Sequence, residues 1–274
     1  RRHTYAQFLS RVKKLATVLR NAGLAEGDRA AMLARNSDRY IEFYYATIWA
    51  GAVMVPLNHR LSADELAWLI ADSDPRVLLF DHAHAQQANA VAELNPALKL
   101  ILAGGSPAAD MEYEAALSDA GPATDSSGSE HDVALIVYTG GTTGRPRGVM
   151  LTHRNVVSNS VSTIPYLQLS KATIQLHVGP FFHVGAGQRV FSVTDAGGAH
   201  VVLERFSVEA VLETVDRERV TATVLVPTMM HRLLNHKQLN NYDLSSLRYV
   251  SYGAAPMPPN LLAAFMARFT HCVV

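Results

Sequence analysis

Tyr138-Thr139-Gly140-Gly141-Thr142-Thr143-Gly144-Arg145-Pro146-Arg147-Gly148 follows directly on an apolar run, Val133–Tyr138. It packs four glycines and three threonines into eleven residues. Glycine reaches positive φ and lets a ligand approach the backbone closely. Consecutive N–H groups can then face inward as a nest for an anion. Threonine hydroxyls add donors or reach a metal, and Arg145 and Arg147 supply positive charge on either side of the bend at Pro146. These residue types suit a cradle for a triphosphate. An ordinary glycine-rich turn between two strands is the plain alternative; the threonines, the two arginines and the preceding strand weigh against it. The Gly-Lys-Ser/Thr ending of a Walker loop is missing. The glycine spacing also differs from the dinucleotide fingerprint, and no helix follows at once.

Outward from the loop, strand-like and helix-like patterns alternate. Phe8, Val12, Leu15, Ala16 and Leu19 share one helical face, and Gly23 closes that helix. Strands are expected at Ala30–Leu33, Ala52–Pro56 and Arg76–Phe80, with helices over Ser37–Ala50 and from a capping box at Ser62–Glu65. Strands are again expected at Val133–Tyr138, Gly148–Leu151, Ala199–Leu203, Thr221–Val226, Arg248–Ser251 and Cys272–Val274. Helices are expected at Val208–Arg217, Thr228–Leu234 and Pro259–Ala267. Such alternation predicts parallel βαβ units. Gly104–Gly128, rich in Gly, Pro and Ser, reads as a linker holding a short helix near Met111–Leu117. The expected division is therefore 1–130 for a first α/β subdomain plus linker and 131–274 for a second that carries the phosphate loop.

Composition narrows the function class. The 274 residues have a formal net charge of zero and are 49% hydrophobic, enough for a sizeable core. A neutral chain without basic runs argues against nucleic-acid binding. The single cysteine, Cys272, excludes a disulfide framework and suits a reducing compartment. The longest apolar runs are too short to cross a bilayer. The chain opens at Arg1 inside a helical pattern, so a trimmed amino terminus and a cytoplasmic location are the expectation. The His82/His84 and His231/His236 pairs lack cysteine partners at zinc spacing, so no structural metal is expected.

The loop resembles the signature of the adenylate-forming superfamily: acyl-CoA synthetases, firefly luciferase and peptide-synthetase adenylation domains. The family form is roughly Tyr-Thr-Ser-Gly-Thr-Thr-Gly-x-Pro-Lys-Gly. Here Gly140 stands where the family has Ser, and Arg147 where it has Lys. Arginine keeps the charge but presents a planar fork. Asn36-Ser37, Gly51-Ala52-Val53, Pro56–Leu61, Glu65-Leu66, Leu151–Asn155, Pro180–His183 and Ser251–Met257 match further family segments in order. The resemblance thus covers essentially the whole chain. It implies the large amino-terminal domain of the adenylate-forming fold: stacked αβαβα subdomains with mostly parallel sheets.

The resemblance also implies roles. Thr139, Gly140, Gly141, Thr142, Thr143, Gly144 and Arg147 would hold the ATP phosphates, with Thr139 also a Mg²⁺ ligand. Gly253, Ala254, Ala255 and Pro256 would lie against adenine; a tight turn before a helix at Pro259 is the plain alternative, and both can hold. His183 would meet the acyl carboxylate and the phosphate. Histidine on an apolar turn is more often structural, and the Pro-Phe-Phe-His context tips this one toward function. Phe182, Val184, Gly185, Thr228 and Met229 would line the acyl pocket, although one of Met229 and Met230 is expected in the core. The implied reaction activates a short- or medium-chain fatty or related acid with ATP and Mg²⁺, then passes the acyl group to coenzyme A. Coenzyme A, ATP and the acid are the expected small-molecule partners, and a homodimer the expected assembly.

The family's Tyr-Gly-x-Thr-Glu and Thr-Gly-Asp motifs, hinge and carboxy-terminal lysine domain are not in these residues, so the chain reads as an amino-terminal fragment, inactive alone. An amino-acid adenylation domain, for which Asp195 is the nearest candidate amine partner, a luciferase-like oxidase, and a non-catalytic nucleotide-binding or scaffold protein remain the alternatives.

Overall fold

Thr4 opens the first helix. Its hydroxyl accepts from the Gln7 N–H and the Gln7 side chain accepts from the Thr4 N–H, a capping box. α1 (Tyr5–Asn21) then buries Val12, Leu15, Ala16 and Leu19 along one stripe. β1 (Arg29–Leu33), α2 (Asp38–Trp49), β2 (Val53–Pro56), α3 (Ala63–Ser73), β3 (Pro75–Phe80), α4 (Ala85–Leu94), β4 (Lys99–Leu102), α5 (Pro107–Asp119), β5 (Val133–Thr139) and β6 (Arg147–Thr152) follow. Ser62 and Glu65 form the capping box expected at the start of α3. This computed structural model describes residues 1–126, 128–140 and 146–274.

These strands make one six-stranded sheet in the order β4-β3-β1-β2-β5-β6. Its pairs are parallel except the last, where β6 runs antiparallel to β5. Ala30 to Leu33 of the central strand are fully buried, as a parallel strand covered on both faces should be. The chain divides into two compact units, Arg1–Val156 and Val157–Val274. The boundary thus falls after Val156 and not near Glu130. The physical reason is that β5 pairs with β2, Met54 opposite Leu135, so the strand before the phosphate loop extends the first sheet. α6 (His153–Tyr166) carries the chain across this boundary.

In the second unit, β7 (Ile174–His177), α7 (Val184–Asp195), β8 (Ala199–Val202), α8 (Val208–Glu218), β9 (Ala222–Leu225), α9 (Pro227–Leu234), β10 (Tyr249–Tyr252) and α10 (Pro259–Arg268) alternate. The sheet order is β10-β9-β7-β8, with every pair parallel. The strand expected at Cys272–Val274 reduces to a single parallel bridge from Val273 to Tyr249. The core joins Leu176, Val211, Leu212, Val215, Leu225, Met230, Val250, Phe265 and Phe269.

Polar groups are buried where they satisfy one another. In the first unit Glu42, 1% exposed, accepts from Arg11 and Tyr113, while Glu114 accepts from Arg11 and Arg39. The Arg11 hydrogen bond, against the opposing pull of burial, lowers the Glu114 carboxyl to about 2. These pairs tie α1, α2 and α5 together. In the second unit the Thr194 hydroxyl donates to the Val190 carbonyl at 2.9 Å, so its oxygen accepts from His200 Nε2–H at 3.0 Å. His200 Nδ1 is then the acceptor for His177 Nε2–H, also at 3.0 Å. The relay requires a neutral His200, whose Nδ1 must keep its lone pair to accept from His177. Burial pushes His200 down to about 4 and, with His200 and Arg189 adding to it, pushes His177 well below the usual range.

The hairpin that bears the phosphate loop is pinned at its base. Tyr138 donates its hydroxyl to Asp72 at 2.6 Å and sets its ring edge-on to Trp68 at 6.1 Å, both on α3. Gly148 lies directly opposite Tyr138. A Cβ there would stand 2.8 Å from Ile136 Cγ2 and 3.3 Å from the Tyr138 ring.

Two expectations can be measured. Gly148→Ala should lower stability by about 1–3 kcal/mol, the range for overpacking against a fixed ring; a urea unfolding curve that matches the parent would remove the steric argument. For His177 and His200 the folded pKa lies below the unfolded value, so the unfolded chain binds more protons. Their stabilisation is full above about pH 6.5 and declines as the pH falls below it, for His200 down to about 4, on the order of 1 kcal/mol per pH unit for each histidine that titrates. Thermal melts between pH 7 and pH 4 should show this slope, and His200→Gln should flatten it.

Candidate functional site

A parallel sheet sends all its strands out at one edge, and ligands of open α/β sheets gather outside that carboxyl edge. In the second unit the chain leaves β7 into Pro180–His183, β9 into Pro227–Met229 and β10 into Gly253–Pro256. Since β10, β9 and β7 are neighbours in that order, the three segments singled out in the sequence emerge side by side. Topology, not sequence proximity, assembles them.

Each segment turns sharply into a helix. The His183 N–H donates to the Pro180 carbonyl at 3.1 Å, and the His183 carbonyl accepts from Ala186 and Gly187. His183 is therefore the N-cap of α7, with no side-chain cap bond. Its imidazole is exposed and rests on the Phe182 ring at 4.3 Å between centroids. Phe181 and Phe182 are buried, and Phe181 meets the His177 ring edge-on at 5.3 Å. Val184 and Gly185 form the exposed first turn of α7. No atom lies within 4 Å of where a Gly185 Cβ would stand.

Pro227 starts α9 after β9, with Thr228 exposed, Met229 half-buried against the core and Met230 fully buried. Met230 is thus the core member of the pair. After β10, Ala254 takes a left-handed conformation with φ 65°. Ala254, Ala255 and Pro256 are exposed, and nothing stands within 4 Å of a Cβ placed on Gly253.

The residues expected to hold phosphate fall within the sequence range of the first unit. Thr139 ends β5 and faces Arg147, the first residue of β6, across the antiparallel pair. Both are exposed, as is Gly140, where a Cβ would meet nothing within 4 Å. The Ser that the family carries at this position would fit sterically. Gly141, Thr142, Thr143, Gly144 and the neighbouring Arg145 lie outside the described residues.

Sequence reasoning passed over two groups at these edges. After β3, Asp81 accepts from the Arg35 N–H at 2.9 Å and bonds to His84, whose ring lies 5.0 Å from His59. Burial, with His84 next, lowers His59 to about 4. On α7, Arg189 has buried Nε and Nη1 atoms with no hydrogen-bond partner among the described residues, and Gln188 Oε1 is buried likewise. The available signal was a Gln-Arg pair directly after the small, apolar stretch Val184–Gly187. Among the described residues His3, Asp38 and Glu42 could reach a common ion, although Glu42 already serves Arg11 and Tyr113. Among the same residues no helix is long and apolar enough to cross a membrane.

Known proteins share this architecture. The chain is 38% identical over 266 residues to a feruloyl-CoA synthase of an Amycolatopsis species, covering 97% of this chain and 52% of that one. It is 32% identical to the indoleacetate–CoA ligase of Aromatoleum aromaticum, covering 94% and 51%. The chain therefore spans about half the length of these curated relatives. Among solved structures, the inhibitor-bound N-terminal domain of FACL13 from Mycobacterium tuberculosis superposes with a TM-score of 0.90 at 28% identity, covering 98% of this chain and 67% of that one. ATP-bound MatB from Rhodopseudomonas palustris gives 0.86 at 29% identity, covering 96% and 52%. The sequence profile of the AMP-binding enzymes matches residues 1–274, and the chain belongs to that family.

Proposed function

We propose that the full protein carrying this chain activates a carboxylic acid with ATP and then forms its coenzyme A thioester. The observation that carries this reading is the emergence of the Pro180–His183, Pro227–Met229 and Gly253–Pro256 segments from neighbouring parallel strands. The CoA-ligase names of the relatives support it. A carboxylate oxygen attacks the α-phosphorus of ATP, the bond to the β-phosphate oxygen breaks, and pyrophosphate leaves. The thiolate of coenzyme A then attacks the acyl carbon, and AMP leaves. Both steps are governed by positioning and by stabilising charge on phosphate.

The chain's own residues would divide this work. Thr139, Gly140, Gly141, Thr142, Thr143, Gly144 and Arg147 bind the β- and γ-phosphates, and Arg147 offers them a planar fork. The Thr139 hydroxyl is a hard oxygen donor exposed at a strand end, of the kind Mg²⁺ accepts. Bound there, Mg²⁺ would neutralise phosphate charge. Gly253, Ala254, Ala255 and Pro256 offer adenine a wall without long side chains. His183, fixed over Phe182, orients the acid's carboxylate, while Val184, Gly185, Thr228 and Met229 border its tail.

The alternative of amino-acid activation fits less well. Asp195 ends α7, about 18 Å along the axis from His183 at 1.5 Å per residue, so it stands at the far end of the helix from the acid-side turn. A short- or medium-chain or aromatic acid, a cytoplasmic location and a homodimer complete the reading.

Two measurements test it. ATP–pyrophosphate exchange, run with an acid panel, should be robust for the full-length protein and negligible for residues 1–274 alone; robust exchange by the 274-residue chain would refute the division of the site. Ala254→Gly removes a left-handed non-glycine residue, worth roughly 1 kcal/mol, and adds a comparable unfolded-state entropy. Stability should therefore stay within about 0.5 kcal/mol of the parent by the same principles, while the KM for ATP rises severalfold. An unchanged KM would take Ala254 off the adenine.

A further inference from the structure

α7 holds an arginine with no ion-pair partner among the described residues. Arg189 Nε and Nη1 are buried and unpartnered among the described residues. Arg39 of the first unit also has an unpartnered Nε, but it and Arg11 meet carboxylates, Glu42, Glu114 and Asp110. No ion pair to Arg189 is found among the described residues. Its charge acts on His177, which is paired to His200, and burial holds both rings neutral. Asp195, the acidic residue of the same helix, sits more than a turn and a half further on. Burial without a counter-ion lowers even this guanidinium to about 10. A buried cation with free donors is costly unless a partner arrives to pair with it.

The helix geometry says where that partner would lie. A helical side chain covers the turn N-terminal to its own Cα. For Arg189 that is the turn of Gly185 and Ala186, and Gly185 leaves open space. The position is about 9 Å along the axis from the cap residue His183. Next to Arg189, Gln188 brings a second buried and unpartnered polar atom. An acid whose carboxylate is held at His183 and whose tail passes Gly185 would bring its far end to the guanidinium.

We propose that Arg189 determines which acid is taken: its guanidinium binds an oxygen acceptor at the far end of the substrate, so that acids with a distal phenol, hydroxyl or second carboxylate are preferred to plain hydrocarbon acids. This rests on the acid-activation reading above and names the substrate class for that site. Arg189 need not touch the reacting atoms. It discriminates by leaving its own donors unpaired when the acceptor is missing, the asymmetry by which a hydrogen-bonding pocket rejects an analogue that lacks the group.

The test uses the full-length protein and two matched series: cinnamate, 4-hydroxycinnamate and 4-carboxycinnamate; hexanoate, 6-hydroxyhexanoate and adipate. Pyrophosphate release gives kcat/KM for each acid. In at least one series an oxygen-bearing acid should exceed its parent hydrocarbon acid by about tenfold or more, and the hydroxyl and carboxylate arms tell which acceptor is read. Arg189→Met should abolish that preference while leaving the parent acid within about threefold, and Arg189→Lys should keep part of it. Equal rates across both series overturn the proposal even if no variant folds. So does an Arg189→Met protein that slows every acid alike. If no acid supports pyrophosphate release, the acid-activation reading fails and the inference falls with it.

Discussion

Parallel strand pairing is the constraint on which the site depends. A strand in a parallel sheet has to be followed by a crossover, so every carboxyl end faces the same way. Residues 180–183, 227–229 and 253–256 are far apart in sequence and meet only because β7, β9 and β10 share that direction. The same pairing dictates which side chains stay exposed at the carboxyl edge. Phe181 and Met230, next to those turns, are drawn into the interior, while His183, Thr228 and Ala254 are left at the rim. One break in the rule occurs at β5–β6, where an antiparallel hairpin replaces the crossover. There Thr139 and Arg147, which flank the glycine- and threonine-rich segment, are held across a ladder.

Two kinds of polar interior accompany this frame. Around Glu42 and Glu114, charges are matched by charges, and the cluster fastens three helices. Around His177 and His200, burial keeps the rings neutral and a chain of donors runs on to the Val190 carbonyl. Arg189 belongs to neither pattern. Its Nε and Nη1 are buried without a partner, and no carboxylate pairs with it among the described residues. A buried guanidinium left without a counter-ion is what the proposed contact with substrate would explain.

Much of this was legible in the residues. Thr4, Ser62 and the stripe Val12–Leu19 announce their helices because caps and periodicity are local properties. The glycine- and threonine-rich loop and the ordered motifs identified the family for the same reason. The domain boundary was not legible, since the serine- and glycine-rich stretch before Glu130 looks like a linker, while the pairing of Leu135 with Met54 is a tertiary fact. β7 escaped notice because Ile174–His177 is four residues long and half polar; Gln175 and His177 are buried by packing that no periodicity records. Val184 and Gly185 carry no local sign of the helix they open, since valine and glycine are both weak helix formers. The Arg11–Glu114 and His177–His200 pairs join positions whose spacing carries no local signal.

The joining of β5 to β2 also sets an order of events during synthesis. β2 is complete by Pro56, yet its outer neighbour is made only after β3, α4, β4 and α5 have all been threaded to the other side of β1. Until then Val53, Met54 and Val55, buried in the finished protein, border an unpaired edge. Pairings of such long sequence separation close late and slowly. A nascent chain stalled before Val133 would thus present a short, wholly apolar strand edge to the cell, a surface suited to chaperones and to aggregation alike.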